Sequence, residues 1–409
     1  MSSPGREESG RTALAGVKVV DLTQFEAGTS ITETLAWLGA DVIKIENPIG
    51  GEQGRGASTD QKGVDSYYFM LLNANKRSVT LNLKDERGKA MLRKLIAKAD
   101  IFAENFAPGV MERLGLTTDV LHAANPKLII ASGSGYGKTG PYRDYPAMDL
   151  TVQAMAGVID TTGYADAPPV KSGPALADFL AGIHLFGAIA AALFERERTG
   201  KGRTVEVSMM EAVYPTLASG LGLFYGSGGG GVNRTGNRHS GLSLCPYNVY
   251  PTRDGYIAII TNNDQHWRWL VTALDAQSLA DDEGLATVRG RCERMDEVDA
   301  AIGQLTRRYD KTELFDLLIK HRVPCAPVRT LLEVVNDPHL HARGTLRWID
   351  HPEYGRIVVP TSPLRFDGED GQVPYQASSV LGSDKEAILA EHLSLDAGQV
   401  AALRAKQVL

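Results

Sequence analysis

The sequence of 409 residues is poor in cysteine and has no excess of positive charge. Its three cysteines, Cys245, Cys292 and Cys325, are widely spaced and form no CxxC pair. Because disulfide frameworks and zinc sites need paired or clustered cysteines, we predict no disulfides and no metal site. The 43 lysines and arginines are outnumbered by 49 aspartates and glutamates, and the net charge of -6 argues against nucleic-acid or anionic-membrane partners.

Long apolar runs are also scarce. The most apolar stretch, residues 174–197, opens with Asp178 and contains His184, so it falls short of the roughly 18 apolar residues that a membrane span needs. It predicts a buried core helix. Residues 1–13 are polar and have no apolar segment typical of a secretory signal, so we expect a disordered tail and a cytoplasmic protein.

Alternating strand and helix patterns predict an α/β fold. Residues 16–23 and 41–46 are β-branched runs separated by a helical pattern, which is the unit of a parallel sheet covered by helices. Four consecutive glycines within residues 226–233 break this order and indicate a boundary. We therefore expect a Rossmann-like large domain built from both chain ends and a smaller α+β domain. The expected bounds are 14–205 and 330–409 for the large domain, 206–228 for a linker and 229–329 for the small domain.

Two glycine-containing turns match nucleotide-binding loops only in part. The turn after the first strand contains Gly28 as its single glycine, whereas a dinucleotide fingerprint needs three. In the second turn, Ser132 stands where a phosphate-binding loop needs glycine, and Pro141 would fall in the first turn of the required helix. We therefore predict neither nicotinamide binding nor nucleotide hydrolysis.

Two further features each permit two interpretations. An aspartate such as Asp178, at the start of an apolar helix, can cap the free backbone amides, and it can also act as a nucleophile because the helix dipole favours its ionised form. Residues 76–98 contain eight lysines and arginines against two acids. This basic run is consistent with a solvated helix face or with a site for ligand phosphates. Composition alone does not separate these alternatives.

Six segments spread along the chain share one resemblance. They are LAGVKVVDLT, AGTSITETLAWLGADVIKIENP, NANKRSVTLNLKDERGKAMLRKLIAKADIFAENFAPGVMERLGL, ALADFLAG, RERTGKGRTVEVSMMEA and VPCAPV. Together they resemble the family III CoA-transferases, the family of formyl-CoA transferase and carnitine CoA-transferase, with α-methylacyl-CoA racemase as a relative. The resemblance extends from residue 14 to the C-terminus. It implies coenzyme A and acyl-CoA as substrates, no tightly bound cofactor, and an interlocked homodimer.

The resemblance implies that Asp178 is the nucleophile. Its carboxylate attacks an acyl-CoA thioester to give an aspartyl anhydride and CoA thiolate, and the thiolate then forms an aspartyl-CoA thioester. The acceptor carboxylate takes up CoA by the reverse steps. Asp149 and Glu26 are expected to support the nucleophile. The contacts with CoA implied by position are Glu26, Ala27, Leu81, Lys84, Asn105, Phe106 and Arg113.

Departures from the family pattern bear on the substrate. Racemase relatives carry a histidine base at the position of Met148, and a thioether cannot accept a proton, so transfer is favoured over racemisation. Relatives that use oxalate have glutamine at Glu26, arginine at Asn47 and tryptophan at Ala57. The small Ala57 predicts a roomier pocket and an acceptor larger than oxalate, such as a dicarboxylate. The expected acceptor contacts, in the loop 235–241, are Arg238, His239 and Gly241.

The sequence thus predicts an acyl-CoA:carboxylate CoA-transferase. One alternative is an α-methylacyl-CoA racemase, which would introduce deuterium from deuterated water into an acyl-CoA without an acceptor. A second alternative is a non-catalytic CoA-binding subunit, and the presence of Asp178 argues against it.

Overall fold

The computed structural model describes residues 12–57, 63–366 and 372–409. The expected disordered tail at residues 1–13 therefore lies almost wholly outside the described residues. The described chain divides into two compact units. The first contains the residues up to Val152 together with Pro174–Val213 and Asp337–Leu409, and the second contains Gln153–Gly173 and Tyr214–Asn336.

A six-stranded parallel sheet forms the centre of the first unit, in the order β3-β2-β1-β4-β5-β6. The chain adds β2 and β3 on one side of β1 and the later strands on the other, so the strand order reverses between β1 and β4. Ligands of open parallel sheets bind at such a reversal, beyond the carboxyl ends of the strands. The strands are β1 Lys18–Leu22, β2 Asp41–Glu46, β3 Arg77–Thr80, β4 Ile101–Glu104, β5 Ile129–Ser134 and β6 Thr204–Ser208.

Helices cover both faces of this sheet, because alternate strand residues point to opposite faces. Val19 packs in the core that contains α1 and α8, whereas Val20 packs in the core on the other face, with α3, α5 and the last two helices of the chain. The helices of the first unit are α1 Phe25–Trp37, α2 Tyr67–Leu72, α3 Glu86–Ile96, α4 Val110–Arg113, α5 Thr118–Ala124, α6 Asp149–Met155, α8 Leu176–Thr199, α9 Met209–Val213, α17 Pro338–Ala342, α18 Lys385–Leu393 and α19 Ala397–Ala405. The last residues of α6 belong to the second unit. A hairpin of β10 Leu346–His351 and β11 Gly355–Pro360 precedes α18 and α19.

Both chain ends build the first unit, as the sequence predicted. Ile388 of α18 and Val400 of α19 are fully or almost fully buried in the same core as Val20. The predicted α/β class, with a Rossmann-like parallel sheet, is confirmed.

The apolar stretch that was predicted to be a core helix is α8. By length and composition it is the one helix among the described residues that could cross a membrane. Its inner face, however, packs in the core of the first unit through Leu185 and Ile189. At Gly182 a Cβ atom would lie 2.3 Å from Ser30 Oγ of α1, so a larger residue there would force the Ser30 side chain to move.

The second unit is a smaller α+β assembly around a three-stranded antiparallel sheet in the order β7-β8-β9. Its core contains a fully buried arginine, Arg291, which donates hydrogen bonds to the carbonyls of Cys245 and Leu285 and to Asp264. The elements are α7 Val158–Thr161, α10 Ala218–Gly226, β7 Tyr247–Pro251, β8 Tyr256–Ile260, α11 Asp264–Ala273, α12 Gln277–Ala280, α13 Val288–Glu293, α14 Met295–Thr306, α15 Lys311–Lys320, β9 Cys325–Pro327 and α16 Leu331–Val335, with short 3-10 turns at Tyr214–Leu217 and Glu283–Leu285.

The two units differ from the predicted domain bounds in three places. Residues 153–173 belong to the second unit, because Arg234 donates to the carbonyls of Tyr164 and Asp160. Residues 206–208 complete β6, and residues 209–213 form α9 of the first unit, so much of the expected linker is regular structure. The return to the first unit falls at Asp337 instead of residue 330.

Candidate active site

The loops that follow β1 and β4 meet at the reversal of strand order, and one side chain joins them. Asn105 accepts a hydrogen bond from the backbone N–H of Gln24 and donates one to the carbonyl of Gln24, both at 2.8 Å. A Cβ at Gly28 would lie 2.4 Å from Thr23 Cβ and 2.8 Å from Asn105 Cγ. Gly28 therefore serves close packing of this turn, and Asn105 fixes its position.

Asp178 lies in the first turn of α8 and is only 8% exposed. The helix begins at Leu176, so Asp178 is inside it and does not cap it. Asp149 of α6 fulfils the capping role, since its Oδ1 accepts hydrogen bonds from the backbone N–H groups of Ala177 at 2.9 Å and Asp178 at 3.4 Å. The carboxylate of Asp178 is therefore available for chemistry.

Two further groups surround the Asp178 carboxyl. Glu26, in the first turn of α1, shares a hydrogen bond with it. On its other side Glu26 accepts a hydrogen bond from the hydroxyl of Tyr68 in α2. Burial raises the pKa of the Tyr68 hydroxyl, and the bond to Glu26 raises it further, so Tyr68 stays a neutral donor. Tyr68 had no recognisable signal in the sequence.

Burial, followed by the charges of Glu26 and Asp149 and the hydrogen bond with Glu26, raises the pKa of Asp178 to about 8. Two carboxyl groups in contact do not both ionise easily, so Asp178 keeps its proton to higher pH than an ordinary aspartate. The arrangement therefore provides a desolvated carboxylate that ionises near physiological pH.

A buried ionic cluster lies beneath the turn that carries Glu26. Burial opposes ionisation of the fully buried Asp21, but Lys76, Lys44 and two threonine hydroxyls outweigh it and lower the pKa of Asp21 to about 2. Lys76 Nζ lies 3.2 Å from Asp21 Oδ2. Burial lowers the pKa of Lys76 to about 8. Lys76 thus belongs to the core and not to the solvated face of the basic run. Charged residues inside the buried strands, Asp21 and Lys44, were the available sequence signal for this cluster.

The remaining residues expected to contact CoA follow the carboxyl ends of the strands. Leu81 is fully buried in the core, and the Asn105 amide is engaged by Gln24, so their side chains have structural partners. Phe106 is partly buried, and its N–H donates to Glu104. A cavity of about 220 Å³ beside Glu104 lies next to this segment. Among the residues expected to contact CoA, Lys84 and Arg113 are exposed cations. Ala27, the residue after Glu26, is buried.

The expected acceptor loop lies in the second unit, beside a cavity of about 420 Å³ lined by Arg234, Asn237 and Arg238. Arg238 is already paired with Asp299 and Asp296, both at 2.7 Å. His239 Nδ1 lies within hydrogen-bond distance of the Gly241 N–H and the Ser243 hydroxyl. A substrate carboxylate would have to compete with two aspartates for Arg238.

One group of described residues has the spacing of a metal-ligand set: Asp41, Glu391 and His392. The guanidinium of Arg77 already occupies it, with bonds to Asp41 at 2.8 Å and to Glu391 at 2.9 Å. A protein cation therefore fulfils the role that a metal ion would have there.

Comparison with known proteins identifies the family of the chain. The family model described as CoA-transferase family III matches residues 14–385. The chain is 36% identical to formyl-CoA:oxalate CoA-transferase of Streptomyces avermitilis over 97% of this chain and 99% of that protein. It is 37% identical to acetyl-CoA:oxalate CoA-transferase of Acetobacter aceti over 87% of this chain and 89% of that protein. The crystal structure of a CaiB/BaiF family protein from Brucella suis has a TM-score of 0.81 and 35% identity, covering 93% of this chain and 99% of that one. The chain therefore belongs to CoA-transferase family III.

Proposed function

We propose that the protein transfers CoA from an acyl-CoA thioester to a carboxylic acid and that Asp178 is the covalent nucleophile. The observation that carries the proposal is the position of Asp178: buried at the start of α8, with its carboxyl held by Glu26 and the helix amides capped by Asp149. A carboxylate in such a site has lost much of its hydration, and this loss increases its reactivity toward a carbonyl carbon.

The proposed reaction has two kinds of covalent intermediate, an aspartyl anhydride and an aspartyl-CoA thioester. An oxygen of Asp178 attacks the thioester carbonyl carbon and the C–S bond breaks. CoA departs as the thiolate, and an acyl-aspartyl anhydride forms. The thiolate then attacks the Asp178 carbonyl carbon and displaces the donor acid, which leaves an aspartyl-CoA thioester. The acceptor carboxylate attacks that thioester and expels the thiolate, which gives an anhydride between the acceptor and Asp178. The thiolate then attacks the acceptor carbonyl carbon of this anhydride, so that the new acyl-CoA forms and the Asp178 carboxylate is released. Anhydride and thioester are close in energy, so each step is reversible, whereas a serine ester would conserve less of the activation.

The pH dependence of transfer gives a first test of the site. Only ionised Asp178 is a nucleophile, so the rate should rise about tenfold per pH unit below the pKa of about 8 and level off above it. Glu26→Gln removes the neighbouring charge that helps to raise the pKa of Asp178. Because burial remains the larger cause of the shift, we expect the profile to move only about 1–2 units to lower pH.

Initial rates of the two proteins between pH 5.5 and pH 9.5 provide this comparison. Asp144→Asn is the control, because Asp144 is an exposed carboxylate of the same unit. A Glu26→Gln profile that coincides with the wild-type profile would contradict a contribution of Glu26 to the raised pKa of Asp178.

We propose that CoA lies along the carboxyl edge of the sheet. Its phosphates would meet the exposed Lys84 and Arg113, and its remaining contacts would come from Glu26, Ala27, Leu81, Asn105 and Phe106. Where Leu81 and Asn105 take part, their backbone groups are the available contacts, because their side chains are engaged elsewhere. Glu26, Ala27, Asn105 and Phe106 follow β1 and β4, the two strands at the reversal, and this position supports the assignment.

We propose an acceptor larger than oxalate, such as a dicarboxylate. The exposed Ala57 supports this, since the resemblance implies a tryptophan there in oxalate-using relatives. Oxalate, named in the descriptions of the relatives, is the competing acceptor. With formyl-CoA or acetyl-CoA as donor, we expect succinate and glutarate to give higher kcat/KM than oxalate. Ala57→Trp should lower the values for the larger acids by about tenfold or more while oxalate changes little.

Ile49→Trp is the matched control, since it places the same bulk at a highly exposed position of the same segment. A preference of the wild-type protein for oxalate would overturn the proposed acceptor. Failure to transfer CoA to any acid, together with deuterium exchange at the α-carbon of the acyl-CoA, would overturn transfer itself in favour of racemisation.

We further propose an interlocked homodimer located in the cytoplasm. The outer face of α8 supports association with a second copy, because Phe179, Ile183 and Phe194 are 44%, 64% and 68% exposed. Exposed apolar patches of this kind are typical of interaction surfaces.

A further inference from the structure

The residue before Glu26 has an unusual backbone conformation. Phe25 has φ of +54°, in the left-handed region that bulky side chains rarely adopt. It is also the first residue of α1, so its conformation determines the direction in which the first helical turn presents Glu26. Strained backbone of this kind persists only where surrounding contacts hold it, and it is frequent at active sites.

A buried carboxylate holds this turn. Glu52, 5% exposed, accepts a hydrogen bond at 3.0 Å from the N–H of Phe25 through Oε1. Its other oxygen, Oε2, forms an ion pair with the ammonium group of the buried Lys44. The amide of Glu52 donates at 3.0 Å to Glu46, whose carboxylate is bound by Arg55 through two bonds of 2.7 Å. The acceptor of the Phe25 N–H is therefore held at its side chain by Lys44 and at its backbone by Glu46.

We propose that Glu52, held by Lys44, is a positioning residue that keeps Phe25 in its left-handed conformation and thereby holds Glu26 against Asp178. The inference rests on the proposed function, because it assigns Glu52 a role in preparing the nucleophile. Glu52 acts only through the backbone of Phe25, and the group that contacts the nucleophile is Glu26.

The test follows the titration of Asp178 itself, which depends on contact with Glu26 but not on turnover. The charged or titratable groups that face Asp178 are Glu26 from α1, Asp149 from α6 and Tyr68 from α2. The protein is labelled with ¹³C at aspartate carboxyls, and Asp178→Asn identifies the signal. Its midpoint is then measured by NMR in wild type, Glu52→Gln, Glu26→Gln and the double variant.

Glu52→Gln keeps an oxygen acceptor but brings an uncharged amide to the Lys44 ammonium, so the turn should lose its support. We expect the midpoint of Asp178 to fall from about 8 by about one pH unit or more. In the Glu26→Gln background, Glu52→Gln should produce no further fall, because the contact through which it acts is already gone. Asp144→Asn, which neutralises an exposed carboxylate of the same unit, should leave the midpoint unchanged.

A rescue variant keeps the inference testable if Glu52→Gln folds poorly. Glycine adopts a positive φ without strain, so adding Phe25→Gly to Glu52→Gln should restore at least about half of the lost shift. An unchanged midpoint in Glu52→Gln would overturn the inference, and so would an equal fall with and without Glu26. If Asp178→Asn retains full transfer activity, the proposed nucleophile is wrong, while the NMR result still decides whether Glu52 positions Glu26.

Discussion

Replacement of Asp178 with asparagine is expected to slow CoA transfer by at least about 10³-fold, because the amide cannot form the acyl anhydride. Binding of the acyl-CoA should change far less, since the proposed contacts of the nucleotide lie elsewhere along the sheet edge. The measurement is the rate of CoA exchange between acyl-CoA and a carboxylic acid, together with the affinity for the acyl-CoA. Hydroxylamine supplied with acyl-CoA should inactivate the wild-type protein by reaction with the activated aspartate, and Asp178→Asn should resist it.

The thermal stability of Asp178→Asn should increase at pH 8, although its transfer rate falls. The pKa of Asp178, about 8, lies above the value of 3.8 for an unperturbed aspartate. Between these values the folded protein binds more protons than the unfolded chain, so the contribution of Asp178 to stability falls as pH rises toward 8. Asparagine carries no charge there, and Asp178→Asn should unfold at a higher temperature than wild type at pH 8.

The opposite signs separate loss of chemistry from loss of folding. Asp144→Asn is the control, because Asp144 is an exposed carboxylate of the same unit and should alter neither quantity. Transfer by Asp178→Asn at the wild-type rate would contradict the covalent mechanism.

Asp21→Asn is expected to lower the free energy of unfolding by about 3–5 kcal/mol, because it leaves two buried lysines without their shared carboxylate. Asp21 is fully buried, and its Oδ2 lies 3.2 Å from Lys76 Nζ and 4.0 Å from Lys44 Nζ. Hydrogen exchange of the β1 and β2 amides reports this local stability without requiring the two units to unfold together. Exchange as slow as in wild type would show that the cluster does not need the charge of Asp21.

The pH dependence of this stability has a definite direction. The pKa of Asp21 is about 2 in the folded protein against 3.8 ordinarily. The stabilisation is therefore fully present above about pH 4 and is lost as pH falls toward 2. Wild type should lose protection of β1 over this range, whereas Asp21→Asn should lose little more than it has already lost.

Several features of the site could be predicted because their signals are local. The β-branched runs and the apolar stretch of α8 have the periodicity of their elements. The acidic residue at the start of that stretch is a charged group next to an apolar run, which the sequence alone shows. The prediction that Asp178 is the nucleophile comes from the resemblance, since the residues alone favour capping over catalysis. The structure assigns the capping contact to Asp149, 28 residues earlier in the chain than Ala177.

Arg238 has contacts that the sequence did not predict. The sequence predicts that Arg238 contacts the second carboxylate of a dicarboxylic acceptor. In the structure it is bound to Asp296 and Asp299, which lie 58 and 61 residues away. A local pattern cannot reveal that the Arg238 guanidinium is neutralised by two aspartates of α14, because those residues are distant in the sequence.

The sequence by itself determined the α/β class, the use of both chain ends in the large unit, the core helix α8 and the family to which the chain belongs. These depend on hydrophobic periodicity and on motifs of consecutive residues, which are properties of short segments. Only the tertiary structure decided that Glu26 meets Asp178, that Tyr68 donates to Glu26 and that Glu52 holds the strained turn at Phe25. The partners in these contacts come from separate elements of the chain, so burial and hydrogen bonding in the folded protein select them and no local spacing encodes them.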